Sequence, residues 1–237
     1  MKWFLVLVKP LAFPTAAYYI FPRIHHMKLP GCLIAVLFPL VSAGAADPGF
    51  GPNVTILDPS TAEAQEKVYA VFQQQERAQF GQGRHAFLLK PGRYALDMPI
   101  GFFTHIAGLG RLPGEVVIEG AVWTDAAWMR HNATCNFWRT VENLTIQPPG
   151  GTNVWAVSQA APLRRAHIKG DLHLSSAGWS SGGFMADCRI DGIVRAGSQQ
   201  QWFSRNSVWK EWEGLNWNMV FLGCLTPPEG DWPDQAV

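Results

Sequence analysis

Charge is what this sequence has least of. Of its 237 residues 16% are charged, and 19 basic against 18 acidic side chains leave a net charge of +1. A polyanion or an acidic bilayer would find no field to follow, so neither nucleic acid nor a membrane surface is an expected partner. Cysteine is scarce as well. Cys32 falls in the N-terminal region, which leaves Cys135, Cys188 and Cys224. None has the spacing of a zinc site, and no metal or cofactor is expected. An odd number of thiols leaves open one disulfide with a free thiol, or a pairing with a cysteine outside the chain. Cys188 alternates with apolar neighbours and reads as a buried structural residue. Uninterrupted apolar runs of the ~20 residues needed to cross a bilayer are missing too.

The N-terminal apolar segments read instead as targeting. From Met27 the chain runs MKLPGCLIAVLFPLVSAGAA: a lysine, an apolar stretch from Leu33 to Val41, then small residues. That is the pattern of a secretory signal cut near Ala45 or Ala46. Residues 1–46 are assigned to this region, with the start at Met1 or Met27, and the mature protein is expected to be extracellular and free of the membrane. Sequons at Asn53, Asn132 and Asn143 are candidate glycosylation sites.

A Pro/Gly-rich lead-in, Asp47 to Pro59, comes before the pattern TAEAQEKVYAVFQQQERAQF. Its early glutamates and the apolar face of Val68, Val71 and Phe72 predict one amphipathic helix over about 60–80, placed to cap an open β core. Beyond Gly83 the pattern is strands and turns. ENLTI, RAHIK, DCRID and RNSVW end near Ile146, Ile168, Ile190 and Val208, at intervals of 22, 22 and 18 residues. Leu144/Ile146, Ala166/Ile168 and Cys188/Ile190 occupy matching alternate positions. Short strand-rich repeats with an inward aliphatic pair predict an all-β solenoid, a parallel β-helix over 47–225. Residues 226–237 form a Pro-rich exit. A β-sandwich is the alternative, but it calls for hairpin turns at most corners, and Asp191-Gly192 is one of few such pairs.

The densest stretch lies between Gly178 and Cys224, with five of the eleven tryptophans. Aromatic faces beside amides, carboxylates and guanidinium groups suit a carbohydrate surface. Gln199, Gln200, Gln201, Trp202, Arg205, Asn206 and Trp209 are the candidate ligand contacts, set against an amide ladder and buried rings that need no ligand. Arg205 and Trp209 share strand parity, while Trp212 and Trp217 are candidates for covering a further domain. Asp187, Arg189 and Asp191 alternate outward, which makes Asp187 and Asp191 the candidate acid or base. On one strand, positions four apart lie ~13 Å from each other, beyond the carboxyl separations of glycosidases. Gly178-Trp179-Ser180-Ser181-Gly182 fits a nucleophile elbow, but no histidine follows residue 173, and a turn between coils is the better account.

The blocks KPGRY, GFFTHIAGLG, NFWRTVENLTIQP, WSSGGFMADCRIDG, GSQQQWFSRNS and NWNMVFLG resemble secreted right-handed parallel β-helix proteins of the pectate-lyase-like superfamily. These are allied to the family 55 exo-β-1,3-glucanases. Some relatives carry adenylyl cyclase or coagulation factor 5/8 type labels, for which no phosphate loop or metal-binding pair exists here. The resemblance implies a right-handed β-helix followed by a second one that supplies the general acid, so no catalytic residue carries over to this chain. The expected partner is a polysaccharide such as β-1,3-glucan, bound here and hydrolysed with the second β-helix. A non-catalytic structural or adhesion module is the alternative. A polysaccharide lyase would want a calcium-binding carboxylate cluster or a basic groove.

Overall fold

The computed structural model describes residues 49–214 and 218–228; the region expected to be a signal, Trp217 and most of the Pro-rich exit lie outside the described residues. Among the described residues every strand pairing is parallel, so no hairpin ladder is present. The chain climbs as a solenoid. Strand β1 (Val54–Leu57) lays the first rung, and helix α1 (Ala64–Gln75) follows it. The next coils are β2 (His85–Leu89), β3 (Gly92–Tyr94) and β4 (Met98–Pro99), then β5 (Thr104–Gly108), β6 (Val116–Ile118) and β7 (Val122–Trp123). Above them come β8 (Arg139–Ile146) with β9 (Thr152–Val154), and β10 (Pro162–Ile168) with β11 (Asp171–His173). Then follow β12 (Phe184–Ala186) with β13 (Arg189–Arg195), β14 (Gln201–Arg205) with β15 (Val208–Glu213), and β16 (Asn218–Leu222). One face of the solenoid is the ladder β1-β2-β5-β8-β10-β12-β14-β16. A second runs through β3, β6 and the later parts of β8 and β10 into β13 and β15. A third carries β9, β11 and the ends of β13 and β15.

Parallel in-register rungs stack like residues over like, and that builds the core. Ile106, Val141, Leu163 and Met185 form one inward column. Ile118, Ile146, Ile168 and Ile190 form another, and all eight side chains are buried. The aliphatic pairs expected at residues 144–190 therefore do point inward. One interval shifts: Ile190 lies opposite Trp209, and Val208 lies opposite Arg189. The indole of Trp209, not the Val208 side chain, continues the isoleucine column.

Corners are made by single left-handed residues. Between the first and second faces they are Asn143, Arg165, Asp187, Asn206 and Gly223, with φ between 46° and 66°. Asn and Asp tolerate this conformation better than other side chains, and they hydrogen-bond locally. Asn143 Nδ2 donates to Gly108 O and Gly110 O at 2.8 and 2.6 Å, and Asn206 Nδ2 donates to Asp187 Oδ1 at 3.2 Å. Gly108 has to be glycine because a Cβ there would collide with Asn143 O.

The helix is shorter than the sequence pattern suggests. Asp58 N donates to Thr61 Oγ1 and Ser60 N to Asp58 Oδ1, which holds residues 58–61 in a turn, and Glu63 is left-handed, so helical geometry starts at Ala64. It ends at Gln75, whose buried amide donates to Gly83 O and Phe102 O. Val68 enters the core, and Phe72 packs 6.2 Å from Trp123. The cap thus comes after the first rung and not before it, and it packs against β4. No helix among the described residues is long and apolar enough to cross a membrane.

Ile168 has neighbours above and below in its column. Ile168→Ala is expected to lower unfolding free energy by ~2–5 kcal/mol in denaturant titrations. A loss under ~1 kcal/mol would contradict the stacked column.

Candidate functional site

On the first face, alternation decides what meets solvent. Along β14, Trp202 and Ser204 point in, so Gln201, Phe203 and Arg205 point out. Register repeats that choice from rung to rung. Gln201 lies opposite Asn218; Phe184, Phe203 and Val220 form the next row. A shallow depression of about 400 Å³ opens here, between the carboxamides of Gln159, Gln201 and Asn218 and the apolar surface of Phe203 and Val220. Its floor is Gly182-Gly183. A Cβ on Gly183 would run into the Trp202 indole, and one on Gly182 would come within 2.9 Å of the Gln159 side chain. Trp202 is 2% exposed and donates from Nε1 to Ser204 Oγ at 3.0 Å. The Trp202 indole thus fills the space beside Gly183 and the Gln159 side chain the space beside Gly182, so neither position has room for a side chain.

Chemically the site offers neutral donors and acceptors beside an aromatic edge, with no carboxyl among its lining residues. Carboxamides both donate and accept, which matches vicinal hydroxyls, and aromatic or branched side chains match the C–H faces of a sugar ring.

Of the residues expected to contact ligand, Gln201 alone faces the depression with its side chain out. Gln200 is half-buried, and its N–H donates to Ser180 O. Gln199 is fully buried, its Nε2 donating to Val157 O, Leu174 O and Gly182 O at 3.2–3.5 Å. It ties coils together from within and does not reach a ligand. Trp202 and Trp209 are core residues, so neither presents a ring for stacking. Trp209 meets Trp212 and Phe221 at 5.0 and 5.8 Å and donates to Thr226 O. Arg205 and Trp209 do not share a face, because the left-handed Asn206 separates their strands.

The two candidate carboxylates also part company. Asp187 is a corner residue with φ 57°, outside β13, where Arg205 Nη2 reaches it at 3.1 Å. Asp191 lies on the second face, held by Arg189 Nε at 2.7 Å and His167 Nε2 at 2.8 Å. Residues 187, 189 and 191 do all point outward, but not from one strand, because the chain turns at 187 and β13 starts at Arg189. Burial alone would push the Asp191 carboxyl up, but the bonds from Arg189 and His167 outweigh it and hold it below its ordinary value. An ionised carboxylate between two such partners has no proton to give at neutral pH and makes a poor general acid.

Cys135, Cys188 and Cys224 are not bonded to one another, so the disulfide among these three falls away. Burial pushes the Cys188 thiol up to about 12, as expected of a structural cysteine. Ser180 is fully buried, and Ser180 and Ser181 bridge to Gln199 and Ser158, which makes the Gly-Ser segment a link between coils. Among the sequons, Asn53 is exposed, Asn132 accepts from Thr134 of its own sequon, and the Asn143 amide is taken by two carbonyls. Sequence reasoning missed Gln159, Gly182-Gly183, Phe203, Asn218 and Val220. The buried indole of Trp202 inside QQQWFSR was the available sign, because it forces Gln201 and Phe203 to one side.

No family model matches the chain. The exo-β-1,3-glucanase of Streptomyces sp. (strain SirexAA-E / ActE) is 50% identical over 187 residues, 78% of this chain and 31% of the relative. The solved structure of sacteLam55A from Streptomyces sp. SirexAA-E matches with TM-score 0.76 at 50% identity, over 78% of this chain and 34% of that one. A variant of it in complex with glucose matches equally. The chain is homologous to these proteins and spans about a third of their length.

The Asp191 geometry has a pH consequence. A depressed carboxyl contributes stability that is complete above about pH 4 and is lost as pH falls through the lower folded value. Asp191→Asn should lower the urea midpoint at pH 7 and match the unaltered protein in acid below that value. An equal deficit at both would contradict the assignment.

Proposed function

We propose that this chain is the glucan-binding β-helix of a secreted β-1,3-glucan hydrolase, and that the depression on its first face holds the sugar chain. The observation that carries the reading is 50% identity with an exo-β-1,3-glucanase over 187 residues, 78% of this chain, together with a structural match at TM-score 0.76. The depression's own chemistry agrees: carboxamides for hydroxyls, Phe203 and Val220 for C–H faces.

Hydrolysis needs a proton donor for the leaving oxygen and a carboxylate that acts as nucleophile or base. Neither is present in the depression's lining. We therefore assign this chain the binding role and expect the general acid to come from a second β-helix domain set against the first face. Export rests on the targeting pattern between Met27 and Ala46. An extracellular protein still carrying residues 1–46 would refute that cleavage.

The direct test is depletion of the purified protein by insoluble β-1,3-glucan, chitin, cellulose and pectin. Selective loss on β-1,3-glucan, reduced in Gln201→Ala by roughly three- to tenfold in affinity, is the expected result, as for removal of a hydrogen bond or two. Retention in solution with every polymer would overturn the reading in favour of a structural or adhesion module.

A further inference from the structure

The solenoid has a second column of left-handed corners, where the chain enters the first face, and it is built from unexpected residues. Phe103 has φ 53°, Trp138 φ 50°, Ala160 φ 56° and Gly182 φ 92°. The opposite corner spends this conformation mostly on residues that tolerate it, Asn143, Asp187, Asn206 and Gly223, with Arg165 the exception. Bulky aromatics there carry backbone strain, and such strain gathers where a surface is used.

The column reads as a ladder. The Arg84 guanidinium, anchored on Gly81 O and Gly83 O, lies 3.5 Å over the Phe103 ring. Phe103 stacks on Trp138 with centroids 5.0 Å apart and planes 13° from parallel. Phe103 N donates to Trp138 O, and Arg139 N to Ala160 O, so Ala160 occupies the next rung. The pairings Leu163–Met185 and Phe184–Phe203 carry the column on to Gly182 and Gln201, and Asn218 lies opposite Gln201. Two rungs after the indole thus project no more than a methyl group. Rungs are about 4.8 Å apart, so the opening is about 10 Å long, enough for a pyranose ring in van der Waals contact. Trp138 is 43% exposed even though Phe103 stacks on one face and the Phe137 ring is tilted against it at 5.5 Å. The rung on the side away from Phe103 is that of Ala160, next to Gln159 at the depression.

We propose that the face of Trp138 away from Phe103 is a sugar-stacking platform that seats one pyranose ring of a β-1,3-glucan chain at the edge of the depression. Phe103 and Arg84 hold the indole flat from behind. The proposal rests on the glucan-binding reading above and adds the site at which the chain enters or leaves it.

The test is titration of the full chain with a soluble β-1,3-gluco-oligosaccharide, laminarihexaose, followed by calorimetry. Trp138→Ala should weaken binding about tenfold, the size of an aromatic contact, while Trp138→Phe stays within about threefold of the unaltered chain. Ala160→Asn keeps a residue suited to the left-handed corner and fills the space over the indole, so it should weaken binding with Trp138 intact. Loss in Trp138→Ala and Ala160→Asn, with Trp138→Phe retained, supports the platform. Unchanged affinity in Trp138→Ala or Ala160→Asn, while the unaltered chain binds, overturns the platform and leaves the glucan-binding reading standing. No binding by the unaltered chain overturns both.

Discussion

The rest of the structure depends on one constraint: each coil must return to register with the coil below it. Parallel rungs spaced about 4.8 Å apart leave no room for a side chain to wander between them. Whatever points inward on one rung therefore packs on its counterpart in the next, as Ile118, Ile146, Ile168 and Ile190 do. The left-handed residue at each corner satisfies this constraint. It bends the chain within one residue and preserves the ladder on both sides, and the strain is offset where an Asn or Asp side chain bonds its neighbours, as Asn143 and Asp187 do.

The same register makes the outer surface. Because β12, β14 and β16 are locked side by side, the alternation that buries Trp202 and Met219 also lines up Gln201 with Asn218 and Phe203 with Val220. Core and site are two sides of one pattern. The glycine pair at 182–183 belongs to both: Gly183 admits the Trp202 indole, and Gly182 makes room for the Gln159 side chain at the depression. Gln199 works the same way, securing three carbonyls inside the coil at the level where Gln201 meets solvent.

Much of the fold was legible in the sequence because aliphatic columns leave a direct trace. Leu144/Ile146 and Ala166/Ile168 recur at the coil length and do stack. The helix was legible in kind but not in extent, since a side-chain turn at Asp58 and the Gln75 amide set its ends. Side-chain direction was not legible across corners. A left-handed residue turns the chain, so counting by twos from Asp191 back to Asp187, or from Trp209 to Arg205, joins residues that do not lie on one face. The run of three glutamines misled for a related reason: neighbours in sequence divide between the interior, the rung and the surface. Tryptophan was ambiguous by nature. Trp202 and Trp209 are core while Trp138 is exposed, and composition alone does not separate them.

The central claim is that a glucan chain lies across the first face, where Gln159, Gly182-Gly183, Gln201 and Asn218 meet. Hydrogen–deuterium exchange with and without laminarihexaose tests it most directly. The account predicts slowed exchange in peptides covering 137–139, 159–161, 181–184, 200–203 and 218–220, with no change around Asp187 to Asp191. Protection centred on Asp187–Asp191, with the first-face peptides unaffected, would contradict it.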